Sequence, residues 1–132
     1  WVDQVLDATD NKGVDLIIDQ VSGRVANQNL KAARVLGRIV NVGRLGGMTG
    51  EFDFDLHAAK RISYIGVTFR TRSVEEVREI NRLMREDLWE AVARERLKLP
   101  LDRIFTFDQV GEALAYMKAN EHFGKVVLAL SE

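Results

Sequence analysis

The 132-residue sequence contains no cysteine and a single proline, Pro100. Without cysteine the chain can form no disulfide, no thiolate zinc site and no thiol nucleophile, and because this suits a reducing compartment we expect a cytoplasmic protein. Nineteen basic and 20 acidic residues leave a net charge of −1, so the composition does not resemble that of a protein with the cationic surface that nucleic-acid binding requires. Apolar runs are only a few residues long, so we expect no membrane span. The sequence starts at Trp1 rather than at a methionine, so we expect residues ahead of it.

The apolar residues, 46% of the chain, follow two different periods. Residues 14–20 form a short, β-branched run that is typical of a strand covered on both faces. Further strands are predicted at 38–43 and 62–67. Between the first two strands, the spacing predicts a helix over 24–36 with Gly37 as its C-cap. This alternation is that of a βαβ unit, so we predict an α/β fold with a parallel sheet and right-handed crossovers.

The second half of the sequence predicts a long helix followed by strand, helix and strand. Ser73 and Glu76 form a capping box at the start of an amphipathic helix over 73–95. Pro100 favours an extended conformation at the residue before it and ends this helical region. The remaining predicted elements are a helical turn at 56–61, a strand at 104–107, a helix from an Asp108 cap to Ala119, and a strand at 125–130.

Five of the ten glycines lie between Gly37 and Gly50, in a stretch that follows the second predicted strand. A loop at the carboxyl end of a parallel strand is where α/β sheets bind ligands, because the backbone can approach closely. The spacing matches neither G-x-G-x-x-G nor Walker A, so a ligand loop and an ordinary flexible loop both stay open. Residues 21–23 by themselves favour a turn before a helix over a cofactor contact. Because 21–23, 42–50 and 67–72 each follow a strand in the same direction, we expect them to share one edge.

The other chemical candidates each have a simpler interpretation. Asp15 and Asp19 lie on one face of a strand but roughly 13 Å apart, too far to share a proton, so we interpret them as cap or edge residues. His57 and His122, the only histidines, lie in distant segments and are interpreted as partly exposed residues rather than zinc ligands. Residues 70–72 could hold a phosphate or carboxylate, or form ion pairs with the next helix. We predict no catalytic side chain and no metal ligand.

Four segments occur in a specific order along the chain. They are GVDLIIDQVSG at 13–23, LGRIVNVG at 36–43, GVTFRTR at 66–72 and HFGKVVL at 122–128. Together they resemble the later half of the medium-chain dehydrogenase/reductase family. The nearest branch is the NAD(P)H:quinone oxidoreductase type, often labelled zinc-binding dehydrogenase, and the resemblance covers nearly the whole sequence.

The resemblance implies a division into two domains. Members of this family combine a catalytic domain with a six-stranded dinucleotide-binding domain, and the chain returns at its end to the catalytic domain. Residues 1–100, including the long helix 73–95, would be the C-terminal half of a Rossmann-like dinucleotide-binding domain. Residues 101–132 would be the returning segment. The first three strands, the glycine fingerprint and any zinc ligands are therefore expected outside this sequence.

The resemblance also assigns cofactor contacts, and the implied cofactor is NADP or NAD, with NADP favoured. Val21 and Ser22 would line its adenosine or ribose side. The nicotinamide ribose would be approached by Val42, Gly43, Arg44 and Leu45. The nicotinamide ring would be flanked by Thr68, Phe69 and Arg70. His122 stands where the family often has asparagine, and Gly124 and Lys125 would close over the cofactor.

Three functions follow as expectations. The resemblance implies hydride transfer from NAD(P)H to a small quinone or activated alkene, in which the cofactor does the covalent work and this chain holds part of its site, inactive alone. The alternative is a truncated, non-catalytic Rossmann-like module that oligomerises or binds a partner through an unpaired sheet edge. A homo-oligomer through the strand at 62–67 would match the family. The third possibility is an unrelated α/β domain without a nucleotide role.

Overall fold

The computed structural model describes residues 1–130 and divides the chain into two compact units, Trp1–Val74 and the part that starts at Glu75. The elements up to residue 66 are α1 (Val2–Ala8), β1 (Val14–Asp19), α2 (Ala26–Ala32), β2 (Ala33–Asn41), α3 (Phe54–Lys60) and β3 (Ser63–Gly66). The later elements are α4 (Val74–Ala93), β4 (Leu101–Thr106), a 3-10 turn (Phe107–Gln109), α5 (Val110–Ala119) and β5 (Lys125–Ala129). The domain boundary expected at residue 100 stays a prediction.

The first unit is built on a three-stranded parallel sheet in the order β1-β2-β3. Ile39 in β2 pairs with Ile17 on one side and Tyr64 on the other. The predicted parallel α/β fold is confirmed, and it arises because each connection between strands is long enough to return the chain to the same end of the sheet.

One face of this sheet carries the core. Leu30, Ala33, Ile39 and Ile62 are buried together, and Leu56 of α3 packs against them. The opposite face carries Leu16, Ile18 and Ile65, which are between 40% and 56% exposed. The expectation that the first strand is covered on both faces therefore does not hold within residues 1–130.

The helix predicted over 24–36 is shorter than its apolar spacing indicated. It ends at Ala32, and Gly37, predicted as its C-cap, lies inside β2. The Lys60 ammonium donates to the carbonyl oxygens of Leu30 (3.0 Å), Lys31 (2.7 Å) and Ala33 (2.7 Å), which ends the helix earlier. The residues between Ala33 and Arg38 are accommodated by a register shift, because Val14 of β1 pairs with Ala33 whereas Leu16 pairs with Arg38.

The second unit contains a two-stranded parallel sheet of β4 and β5. Asp108 does not cap the following helix as predicted. Thr106 and Gln109 form a capping box instead, because the Gln109 side chain accepts from the Thr106 backbone amide at 3.1 Å. Within residues 1–130, no helix combines the length and apolarity that a bilayer crossing requires.

Candidate functional site

The three strands of the first sheet end level with one another. Asp19 pairs with Asn41, and Asn41 with Gly66, in the last register positions of the sheet. The segments 21–23, 42–50 and 67–72 follow these ends directly. They therefore share one side of the sheet, as expected, and we call this side the carboxyl edge; its residues 43–50 are the glycine-rich loop.

Asp19 fixes the turn that follows β1. Its side chain is buried, and Oδ1 accepts hydrogen bonds from the backbone amides of Val21 and Ser22, both at 2.8 Å. Its other oxygen, Oδ2, is also buried. Asp15 instead forms an exposed ion pair with Arg34 at 2.7 Å. These contacts agree with the interpretation of the two carboxylates as cap and edge residues rather than an acid–base pair.

Ser22 joins the ends of β1 and β2 through its hydroxyl group. The hydroxyl accepts from Asn41 Nδ2 and donates to the carbonyl of Gly43 at 2.6 Å. Ser22 is buried and has a φ of 61°, the left-handed region that only a few non-glycine residues adopt. The hydroxyl is thus occupied by contacts within the chain, and these contacts set the spacing of the two loops.

The glycine-rich loop packs tightly on the turn after β1. Gly46 N donates to Val21 O at 2.7 Å, and Gly23 N donates to Gly47 O at 3.3 Å. A Cβ atom at Gly23 would collide with the carbonyl oxygen of Thr49. Glycine is therefore needed at Gly23 and in the loop because two backbone segments approach closely there. This packing role differs from both interpretations that the spacing left open, a ligand-binding loop and an ordinary flexible loop.

The predicted cofactor residues of the first unit all lie at the carboxyl edge. The apolar side chains among them, Val21, Val42, Leu45 and Phe69, are between 38% and 85% exposed. Thr68 and Arg70 are exposed too, and the Arg70 amide donates to the Thr68 hydroxyl at 3.2 Å. An exposed apolar surface suits the flat ring of a nicotinamide, and the contact of these residues with the cofactor stays a prediction.

His122 and Lys125 lie in the second unit, and their predicted contact with the cofactor stays a prediction. The segment that carries them is fixed on β4. Asp102 accepts from the backbone amide of Phe123 at 3.0 Å and from the Tyr116 hydroxyl at 2.8 Å, and these hydrogen bonds lower the pKa of the Asp102 carboxyl. The His122 ring centre lies 6.2 Å from that of Tyr116.

A cavity of about 610 Å³ opens beside the carboxyl edge in the first unit. Its lining residues are Ser22, Gly23, Ala26, Asn41, Arg44, Met48, Thr49, Gly50, Glu51, Phe52, Phe54, His57, Ile62 and Tyr64. Among the predicted site residues only Ser22 and Arg44 belong to this lining. Asn41, Phe52 and Tyr64 were missed because nothing in their local sequence distinguishes them from ordinary strand and loop residues.

Tyr64 brings a hydroxyl group to this cavity. Burial raises the pKa of the Tyr64 hydroxyl, and the charge of Asp19 and a hydrogen bond to its carboxylate raise it further, whereas a hydrogen bond from Asn41 acts in the opposite direction. A raised pKa keeps the hydroxyl protonated, so Tyr64 can act as a neutral hydrogen-bond donor or acceptor.

The described residues do not fit a zinc site. Residues 1–130 contain no group of three histidine, cysteine or acidic side chains that could hold a metal ion. The sequence has no cysteine, and His57 and His122 belong to different units. A zinc ion normally requires three or four such ligands, so we derive no chemistry through zinc for this chain.

Comparisons with known proteins place the chain in a family. The family model described as zinc-binding dehydrogenase matches residues 2–128. A protein of Sinorhizobium meliloti 1021 described as an alcohol dehydrogenase has a similar structure, with a TM-score of 0.73 and 32% identity over 97% of this chain and 34% of its own. Quinone oxidoreductase-like protein 2 of Bos taurus is 25% identical over 118 residues, which are 89% of this chain and 34% of that protein.

The CurK enoyl reductase shares the fold, with a TM-score of 0.69 and 24% identity over 98% of this chain and 38% of its own. The chain thus spans about a third of the length of these relatives, and 4–5% of the highly reducing polyketide synthases that it also matches. Since the family model covers almost the entire sequence, the chain belongs to the zinc-binding dehydrogenase family of medium-chain dehydrogenases/reductases.

Proposed function

We propose that this chain forms one wall of a nicotinamide-cofactor site in an oxidoreductase that transfers hydride from NAD(P)H to a quinone or an activated alkene. The observation that carries the proposal is the exposed apolar surface at the carboxyl edge, in a chain that matches a dehydrogenase family over residues 2–128. The substrate class is favoured because relatives named quinone oxidoreductase-like protein 2 and CurK enoyl reductase are among the matches.

The nicotinamide would lie against Val42, Leu45 and Phe69, whose side chains offer exposed apolar surface. When bound, the cofactor supplies the hydride, and the chain orients its ring and excludes water from it. We favour NADP over NAD from the family resemblance, and a cytoplasmic protein from the absence of cysteine. Because the chain covers about a third of its relatives, we expect the rest of the site to come from residues outside it, and the chain to be inactive alone.

The test is a titration of the purified chain with NADPH and NADH, followed by the amide NMR signals of Gly43 and Leu45. Binding should shift both signals, and Leu45→Glu should abolish the shifts because it places a charge on the apolar surface. Leu36→Glu is the matched control, since Leu36 is 60% exposed but lies near the start of β2, away from the carboxyl edge.

A second assay follows NADPH oxidation in the presence of a small quinone. We expect no saturable turnover by the chain alone. Robust turnover would refute its inactivity, and shifts that are absent even at millimolar cofactor would refute the cofactor site itself.

The alternative function, a non-catalytic module that self-associates, has one observation in its favour. β1 and β3 are both outer strands of the first sheet, and unpaired parallel edges invite pairing with another chain. We propose that a homo-oligomer, if formed, uses residues 62–67. Light scattering over a range of concentrations tests this, and Ile65→Lys at the β3 edge should then reduce the association. A monomer at the highest concentration would rule the alternative out.

A further inference from the structure

We propose that the cavity beside the carboxyl edge is a binding site for a neutral aromatic molecule of one or two rings that carries a hydrogen-bond donor, such as a phenolic hydroxyl. This inference goes beyond the cofactor role. The exposed apolar residues assigned to the nicotinamide, Val42, Leu45 and Phe69, do not line this cavity. Its volume of about 610 Å³ is that of a typical small-molecule pocket.

The walls of the cavity are aromatic. The ring of Phe52 lies 5.0 Å from that of Phe54, 5.3 Å from His57 and 5.6 Å from Tyr64, centre to centre. Two of these pairs are edge-to-face, the arrangement in which aromatic rings attract one another. Phe54 is 75% exposed, so one wall offers a ring surface that a flat ligand would remove from water.

The inner end of the cavity is polar and electronegative. Asn41, which is buried, and Tyr64 both line it. The buried Asp19 carboxylate acts on the Tyr64 hydroxyl by its charge and by a hydrogen bond, so the Tyr64 proton is directed to Asp19 and the Tyr64 oxygen is left as an acceptor. Ser22, also in the lining, is already engaged with Asn41 and Gly43. An O–H or N–H donor is therefore favoured at this end, and a carboxylate is disfavoured by Asp19.

The outer part of the cavity favours no net charge. Arg44 and Glu51 both line it, both are exposed, and they carry opposite charges. Neither takes part in an ion pair within the described part of the chain. An anionic ligand would be attracted by Arg44 and repelled by Glu51. The aromatic walls, the polar inner end and the outer part of the cavity therefore all suit a neutral ring whose hydrogen-bond donor lies at the inner end.

The probes are 2-naphthol and 2-methylnaphthalene, which have nearly the same size and differ in the hydroxyl group. Wild-type chain should bind both and prefer 2-naphthol by roughly 2- to 10-fold, the effect of one net hydrogen bond. Tyr64→Phe should lose this preference and keep its affinity for 2-methylnaphthalene. Methyl NMR signals of Ala26 and Ile62, which line the cavity, should shift on binding.

Phe54→Ala is the second variant. It should lower the affinity for both probes by roughly 2- to 10-fold, because it removes an aromatic wall and leaves the core unchanged. Phe69→Ala is its matched control, since Phe69 is exposed at the carboxyl edge but outside the cavity lining. The proposal is overturned if neither probe shifts the Ala26 and Ile62 signals, or if Phe54→Ala binds like wild type. It is also overturned if Tyr64→Phe folds and still prefers 2-naphthol.

Discussion

At the scale of single residues, Ser22 determines the geometry of the carboxyl edge. Ser22→Ala removes the acceptor of one Asn41 Nδ2 hydrogen bond and the donor to Gly43 O. We expect a loss of about 1–3 kcal/mol in the free energy of unfolding. Ser22→Gly loses the same bonds but suits the positive φ, so it should be roughly 1 kcal/mol less destabilised than the alanine variant.

Urea unfolding measures these differences. In a Trp89→Phe background the only tryptophan is Trp1, whose indole donates to Gln28 at 3.4 Å and therefore reports on the first unit. If the alanine variant matched wild type, the hydroxyl would contribute nothing to the coupling of β1 with β2.

Tyr64 should make the stability depend on alkaline pH. The pKa of its hydroxyl is raised above the ordinary tyrosine value by burial and by Asp19, so the unfolded chain releases this proton first. The contribution is complete below a pH of about 10 and is lost as pH rises through the folded pKa. The difference in unfolding free energy between wild type and Tyr64→Phe should be constant from pH 7 to 9 and then shift against wild type. A constant difference up to pH 11 would contradict the shift.

At the scale of elements, the glycine-rich loop depends on glycines at its contact with the turn after β1. A Cβ atom at Gly50 would collide with the backbone of Gly23, whereas one at Gly66 would meet no atom within 4 Å. Gly50→Ala should therefore lower the free energy of unfolding by about 1–3 kcal/mol, as overpacking does, and Gly66→Ala should be nearly neutral.

Gly111 in α5 provides a further comparison with Gly50, because a Cβ at Gly111 would also meet open space. Gly111→Ala should stabilise the helix by about 0.5–1 kcal/mol, because alanine loses less backbone entropy on folding. Thermal unfolding of Gly50→Ala, Gly66→Ala and Gly111→Ala under the same conditions measures these differences in stability. Equal effects of Gly50→Ala and Gly66→Ala would mean that the loop contact does not limit stability.

The same elements show what local sequence can and cannot predict. The period-2 and period-3.6 patterns depend on neighbouring residues, so the presence and order of the strands, the long helix and the parallel pairing were predicted correctly. The bounds were less accurate, since β2 begins at Ala33 rather than at residue 38 and β4 at Leu101 rather than at residue 104. The end of α2 was not, because Lys60, far along the chain, binds the carbonyl groups of Leu30, Lys31 and Ala33. The apolar spacing continued to Leu36 and did not indicate the contact with Lys60.

The candidate site divides in the same way. The carboxyl edge follows from strand order alone, so its residues could be located from the sequence. The cavity brings Ser22, Asn41 and Tyr64 together from the turn after β1, from β2 and from β3. Such a cluster exists only once the register of the strands is fixed, and no pattern within a single strand indicates it.

At the scale of the whole molecule, the family name implies zinc, and the described residues 1–130 offer no group that could bind it. No group of three metal-ligating side chains exists in residues 1–130, and the sequence has no cysteine. We therefore expect the dialysed chain to carry far less than one equivalent of zinc by mass spectrometry. A bound metal would stabilise the folded state by about 2.7 kcal/mol at a hundred times its Kd, so added zinc and EDTA should both leave the unfolding midpoint unchanged. Stoichiometric zinc after dialysis, or a midpoint that EDTA lowers, would show that residues brought together in some other way, such as by association of two chains, do form a site.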